Sequence, residues 1–136
     1  MTSGYSGTPL AKKLGIKEGS TVYAIDAPAN YHVLLAPLPE GVQFVAKLTA
    51  STEVIHLFVD KKQTLQKTLK SLRDKMTTDA MIWVSWPKKS SKIPTEVTED
   101  VIREVALPLG LVDIKVCAVS EVWSGLKLVV RKELRR

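Results

Sequence analysis

The run Glu53-Val54-Ile55-His56-Leu57-Phe58-Val59 narrows most what this chain can become, because it is apolar at consecutive positions rather than alternate ones. A strand with hydrocarbon on both faces belongs in a sheet covered on both sides, the usual setting of parallel strands. Directly after it Leu65, Leu69, Leu72 and Met76 recur at four-, three- and four-residue steps. That is the spacing of one helix face, and Lys62, Lys67, Lys70 and Arg73 fall mostly off the stripe. Asp60 is placed to cap this helix. A buried strand followed by an amphipathic helix is the repeating unit of an α/β sheet.

The alternation extends in both directions. Residues 10–14 suit a short helical turn ended by Gly15, and Thr21–Ile25 reads as a buried strand. Pro28 fits the first turn of a helix running over residues 30–36, since its missing N–H has no intrahelical partner there. Gly41 opens a further strand over residues 42–48, and residues 80–86 form another. Thr98, followed by Glu99 and Asp100, caps a helix whose apolar side is Val101, Ile102, Val105 and Leu109, with Gly110 as terminator. Residues 112–119 and 126–130 are strands joined by a connection too short for a crossover, hence antiparallel. The expected architecture is α/β in three layers. A mostly parallel sheet of about six strands carries helices on both faces and a C-terminal antiparallel hairpin, a degenerate Rossmann-like arrangement. The 136 residues suit a single domain over 1–136, with a lead-in over 1–14 and a basic tail over 131–136.

Twenty Lys and Arg against fourteen Asp and Glu leave a formal charge of +6, spread along the chain apart from the C-terminal cluster. A field of this sign draws anions. The lone Cys117 excludes an intramolecular disulfide framework and a Cys-rich zinc module. His32 and His56 lack neighbours at metal-ligand spacing, so no metal is expected. No apolar run reaches the roughly 18–20 residues of a membrane span. The first residues lack the basic start and apolar stretch of a signal peptide. The expected setting is therefore cytoplasmic, with no membrane partner.

The order of elements resembles a reduced methyltransferase-type Rossmann-like fold. More specifically, the chain resembles a bacterial family known only as a domain of unknown function. The likeness lies in Gly4-Tyr5-Ser6-Gly7-Thr8-Pro9-Leu10, Trp83-Val84-Ser85-Trp86-Pro87-Lys88-Lys89, Arg103-Glu104-Val105-Ala106-Leu107-Pro108-Leu109-Gly110 and Trp123-Ser124-Gly125-Leu126-Lys127. That family brings no activity with it. Methyltransferases of this type have a glycine-rich turn after the first strand, whereas Asp26-Ala27-Pro28-Ala29-Asn30-Tyr31 holds no glycine. One strand–helix unit is also absent between the second and third strands. Neither methyl transfer nor any cofactor is expected.

In open α/β sheets ligands bind outside the carboxyl ends of the strands, where strand order reverses. That rule selects residues 26–31, Asp60, residues 86–92 and residues 120–125, with the lead-in from Tyr5 to Pro9 as a lid or a frayed end. The candidate ligand-binding residues are Asp26, Tyr31, Trp86, Lys88, Lys89, Trp123 and Ser124. His56 reads as a hydrogen-bonded core histidine. A nucleophile set of Ser85, His56 and Asp60 can be assembled, but no nucleophile elbow accompanies it. The function these residues suggest is a non-catalytic binding or interaction module for an anionic small molecule or an acidic partner segment. The alternatives are an enzyme acting on an anionic small molecule, with Asp26 or Asp60 as base, and then weak nucleic-acid binding. A monomer and a homodimer are equally compatible with the sequence.

Overall fold

Burial of a strand on both faces sets the centre of the molecule. The computed structural model describes residues 8–135. In it Thr21–Ile25 (β1), Val54–Phe58 (β3) and Met81–Pro87 (β4) lie parallel, with the two-residue Gln43–Phe44 (β2) outside β1. Trp123–Val130 (β6) pairs antiparallel with β4, and Leu111–Ala118 (β5) closes the other edge antiparallel to β6. The sheet order is β2-β1-β3-β4-β6-β5. All five residues of β3 are buried.

Alternation along the strands sorts side chains into two cores. Ile55, Leu57, Ile82, Val84, Leu126 and Leu128 face the helices Lys62–Lys75 (α3) and Glu99–Ala106 (α4), which contribute Leu65, Leu69, Leu72, Ile102 and Ala106. Val22, Val54, Phe58 and Trp83 face the short helices Leu10–Lys13 (α1) and Tyr31–Leu35 (α2), which contribute Leu10, Ala11, Tyr31 and Leu35. The three-layer α/β arrangement with an antiparallel C-terminal pair is thereby present. The Trp83 indole donates to the Leu14 carbonyl at 2.8 Å, tying the end of α1 to the sheet. Thr98 caps α4 by accepting from the Val101 N–H at 3.2 Å, and Gly110 takes φ +85 beyond the helix, a conformation that favours glycine.

Several local expectations are corrected. The strand expected over 42–48 shrinks to Gln43–Phe44, because a turn closed by Thr49 and Thr52 diverts the chain. Asp60 does not cap α3. Lys61 holds the cap position, and the Glu96 carboxylate accepts the Lys62 N–H at 2.9 Å from a distant segment. Pro28 lies before α2 rather than within it, its carbonyl accepting the Tyr31 N–H. The tail is packed: the Arg131 N–H donates to Gly110, residues Lys132–Leu134 form a 3₁₀ turn, and Arg135 reaches the Val130 carbonyl. The lead-in up to residue 7 lies outside the described residues.

Gly125 lets β6 cross the second core closely. A Cβ there would stand 3.0 Å from Val119 Cγ2 and 3.2 Å from Trp83 Cε3. Gly125→Ala is expected to destabilise the fold by about 1–3 kcal/mol through overpacking. Urea unfolding of the variant beside the parent protein measures it, and an unchanged midpoint would contradict this packing.

Candidate functional site

The carboxyl ends of β1, β3 and β4 and the start of β6 meet at one edge of the sheet. The β4–β6 register brings Pro87 opposite Trp123, Trp86 opposite Ser124 and Ser85 opposite Gly125. The Lys88 N–H donates to the Val122 carbonyl at 2.7 Å, locking the two segments together. Strand order reverses between β1 and β3, since β2 lies on one side of β1 and β3 on the other. The rim so defined carries Asp26, Trp86, Lys88, Lys89, Trp123 and Ser124. It does not carry the Tyr31 side chain, which is buried.

Parity splits the rim in two. Trp86 packs against the α3/α4 core and Trp123 against the α1/α2 core, so the two indoles project from opposite faces. Ser124, opposite Trp86, shares the face of Trp86. At the reversal point a cleft of about 260 Å³ is lined by Asp26, Phe58, Val59, Asp60, Thr64 and Trp123. The cleft is acidic and aromatic in character, and Asp26 within it has φ 57, the left-handed region. On the other face a recess of about 480 Å³ is lined by Trp86, Pro87, Lys89, Lys92, Ile93, Thr95, Val97 and Thr98. It is apolar at its wall and cationic at its mouth. Lys92 lies within the 86–92 segment that the strand-end rule selects, whereas Ile93 and Thr95 lie beyond it. Those two residues reach the recess only because the 3₁₀ turn Lys89–Ser91 folds the chain back.

Within the α1/α2 core lies a buried polar chain. The Tyr31 hydroxyl is 2.8 Å from His56 Nδ1, and His56 Nε2 is 2.7 Å from Ser85 Oγ. Asp60 takes no part in it, so the Ser85–His56 pair lacks the carboxylate of a nucleophile set, and both residues are fully buried. The His56 ring stacks on Phe58 at 4.2 Å, and Phe58 meets Trp123 edge-on at 5.0 Å. Burial pushes the His56 pKa down to about 3, which keeps the ring neutral, and raises that of the Tyr31 phenol. In a neutral imidazole one nitrogen donates and the other accepts, so each hydroxyl has a complementary partner. Among the described residues no group of three or more His, Cys, Asp or Glu is placed to hold a metal ion. No helix among them is long and apolar enough to cross a membrane.

This sheet, with reversal beside β1 and an antiparallel C-terminal pair, is of the Rossmann-like methyltransferase type, and solved structures share it. A putative type 11 methyltransferase from Sulfolobus solfataricus is 12% identical with a TM-score of 0.61, over 93% of this chain and 92% of that one. Aeropyrum pernix fibrillarin in complex with natively bound S-adenosyl-L-methionine is 13% identical with a TM-score of 0.56, over 88% and 73%. A variant of LepI, in complex with SAH and a substrate analogue, is 14% identical with a TM-score of 0.56, over 90% of this chain but 39% of that one. The chain spans about two fifths of the length of LepI and half that of LaPhzM, another structure with this fold. At such identities the likeness is one of fold. The model of DUF3052, a family described as protein of unknown function, matches residues 47–132, and the chain belongs to that family. No curated protein sequence matches it.

The buried imidazole makes stability depend on acid in a defined window. The unfolded chain takes up a proton near the ordinary histidine pKa of about 6.5, whereas the folded ring resists until about pH 3. Its contribution is therefore complete above pH 6.5 and is lost as pH falls toward 3, with a slope of at most about 1.4 kcal/mol per pH unit. A His56→Gln variant should start less stable but fall less steeply between these limits, as read from chemical unfolding at a series of pH values. Identical slopes would exclude His56 as the source.

Proposed function

We propose that this chain is a non-catalytic binding module whose Trp86 recess takes a ligand with a flat apolar part and a carboxylate or phosphate, borne by a small molecule or by an acidic segment of a partner. One observation carries the reading: Trp86 and Pro87 form an apolar wall while Lys89 and Lys92 stand at the mouth of the same recess. Apolar walls with a few placed polar groups are the usual composition of small-ligand sites. Ammonium groups beside them select an anion through charge-assisted hydrogen bonds. Thr95 and Thr98 add hydroxyls to the lining.

The non-catalytic part of the proposal has support of its own. Ser85 and His56 are sealed inside the core, out of reach of a substrate. The turn after β1 does not suit an adenosine-bearing cofactor such as those named for the fold's neighbours. Every residue from Asp26 to Tyr31 carries a Cβ, Ala27 packs into the α1/α2 core, and Pro28 fixes its own φ. The backbone is thus filled where a glycine turn would leave it open. The enzyme alternative rests on Asp26 and Asp60, which do line one cleft. Two carboxylates repel the anionic substrate that alternative requires.

Naphthoate, an aromatic carboxylate, is the probe for the recess, with naphthalene methanol as the neutral control, both followed by ligand-observed NMR. Lys89→Ala/Lys92→Ala is expected to fold normally and to weaken naphthoate binding about tenfold or more, the worth of one lost charge-assisted bond, while the neutral control is unaffected. Lys88→Ala should matter less, because Lys88 does not line the recess. Parent-like binding of naphthoate by the double variant would refute the role of the lysines.

A further inference from the structure

On the α1/α2 side of the hairpin, the pairing of β5 with β6 puts two like charges face to face. Lys115 lies directly opposite Lys127, which in turn lies opposite the buried Trp83. Like charges directly across an antiparallel pair are destabilising. A bulge produces the arrangement. Asp113 pairs with Leu128, but one extra residue, Ile114, intervenes before Lys115 pairs with Lys127. In a regular ladder Ile114 would pair with Lys127 and Lys115 with Leu126, leaving Lys115 on the face of Asp113, toward α4, where Asp113 binds Arg103 at 3.0 Å. The bulge therefore turns Lys115 onto the same face as Lys127. Bulges commonly re-aim a side chain beside a functional site.

The surroundings do not relieve the repulsion. Neither Lys115 nor Lys127 forms an ion pair among the described residues. On the helical side, by contrast, Lys62, Lys70 and Arg103 are each matched to carboxylates. Lys127 is half-buried, so its charge is partly desolvated. Burial and then Lys115 hold its pKa below the usual lysine value. Beside the pair sits Cys117, two residues along β5 on the same face, whose thiol pKa is raised by burial and drawn back in part by nearby lysine charge.

We propose that Lys115 and Lys127 form a binding site for a phosphate monoester, independent of the Trp86 recess. Two ammoniums on neighbouring strands, about 5 Å apart at Cα, straddle one anion. A monoester carries about −1.5 to −2 at neutral pH and balances the pair, which the single charge of a phosphodiester does not.

Inorganic phosphate, titrated at constant ionic strength against chloride and followed by amide chemical shifts, tests this. The expected shifts centre on residues 115, 117 and 127, with at least about tenfold weaker binding in Lys115→Gln/Lys127→Gln. In phosphate-free buffer that variant should be no less stable than the parent, since repulsion is removed, and phosphate should raise the Tm of the parent more than that of this variant. Lys89→Ala/Lys92→Ala should keep the full response, and dimethyl phosphate should bind more weakly than phosphate. Equal binding by the Lys115/Lys127 variant, or shifts confined to residues 86–98, would overturn the site. Equal binding of dimethyl phosphate would overturn the monoester assignment.

Discussion

The structure hangs on the burial of both faces of β3. Its five side chains are withdrawn from water, with Ile55 and Leu57 in one core and Val54, His56 and Phe58 in the other. Each fully buried aliphatic or aromatic side chain contributes on the order of 1.5–3 kcal/mol, and β1 and β4 gain parallel partners from the same placement. The cost lies at His56, a polar ring with no access to water. Tyr31 and Ser85 meet both of its nitrogens, which avoids the penalty of an unsatisfied buried group. That requirement is met by Tyr31, which points inward from α2. The side chain that polar satisfaction demands is thus unavailable to the rim.

Strand alternation then decides how the rim is used. Pro87 and Trp123 are cross-strand partners, and Trp86 is one residue away, so the two tryptophans leave the sheet on opposite faces. The result is two chemically distinct hollows. The cleft at the strand reversal holds Asp26 and Asp60 beside Trp123, while the recess under the 3₁₀ turn holds Trp86 with Lys89 and Lys92. An anion would find matching charge in the second and repulsion in the first. The reversal point, where this architecture usually places its ligand, is thus not where the basic loop lies.

Charge is sorted by side as well as by edge. Ion pairs gather along α3 and α4, most densely where Arg103 meets Glu99, Asp100 and Asp113. Exposed pairs of this kind add little to stability, but they match Lys62, Lys70 and Arg103 to carboxylates on that side. The hairpin's opposite side keeps Lys115 and Lys127 facing each other through a bulge that costs regular pairing. Within a net charge of +6 that is spread along the chain, Lys115 and Lys127 on the hairpin, and Lys89 and Lys92 at the recess, are cations that the fold brings together without an ion pair among the described residues.

Much of this could be read from residue order, because periodicity and local chemistry are properties of contiguous stretches. The continuous apolar run of β3, the Leu65-Leu69-Leu72 stripe, the Thr98 cap, the Gly110 terminator and the antiparallel hairpin are of that kind, and together they imply the layered sheet and its shared rim. The rest needed contacts between distant segments. Glu96 serves the start of α3 where Asp60 was the local candidate, and the Thr49–Thr52 turn cuts β2 to two residues at an edge with one partner. Tyr31 turns toward a histidine 25 residues away. The split of the rim and the facing lysines both depend on register, and a one-residue shift in register moves a side chain to the other face. Local pattern therefore determined which elements exist and where they end. Only the packed sheet decided which face each side chain joins, because that choice is made by pairing across the chain rather than along it.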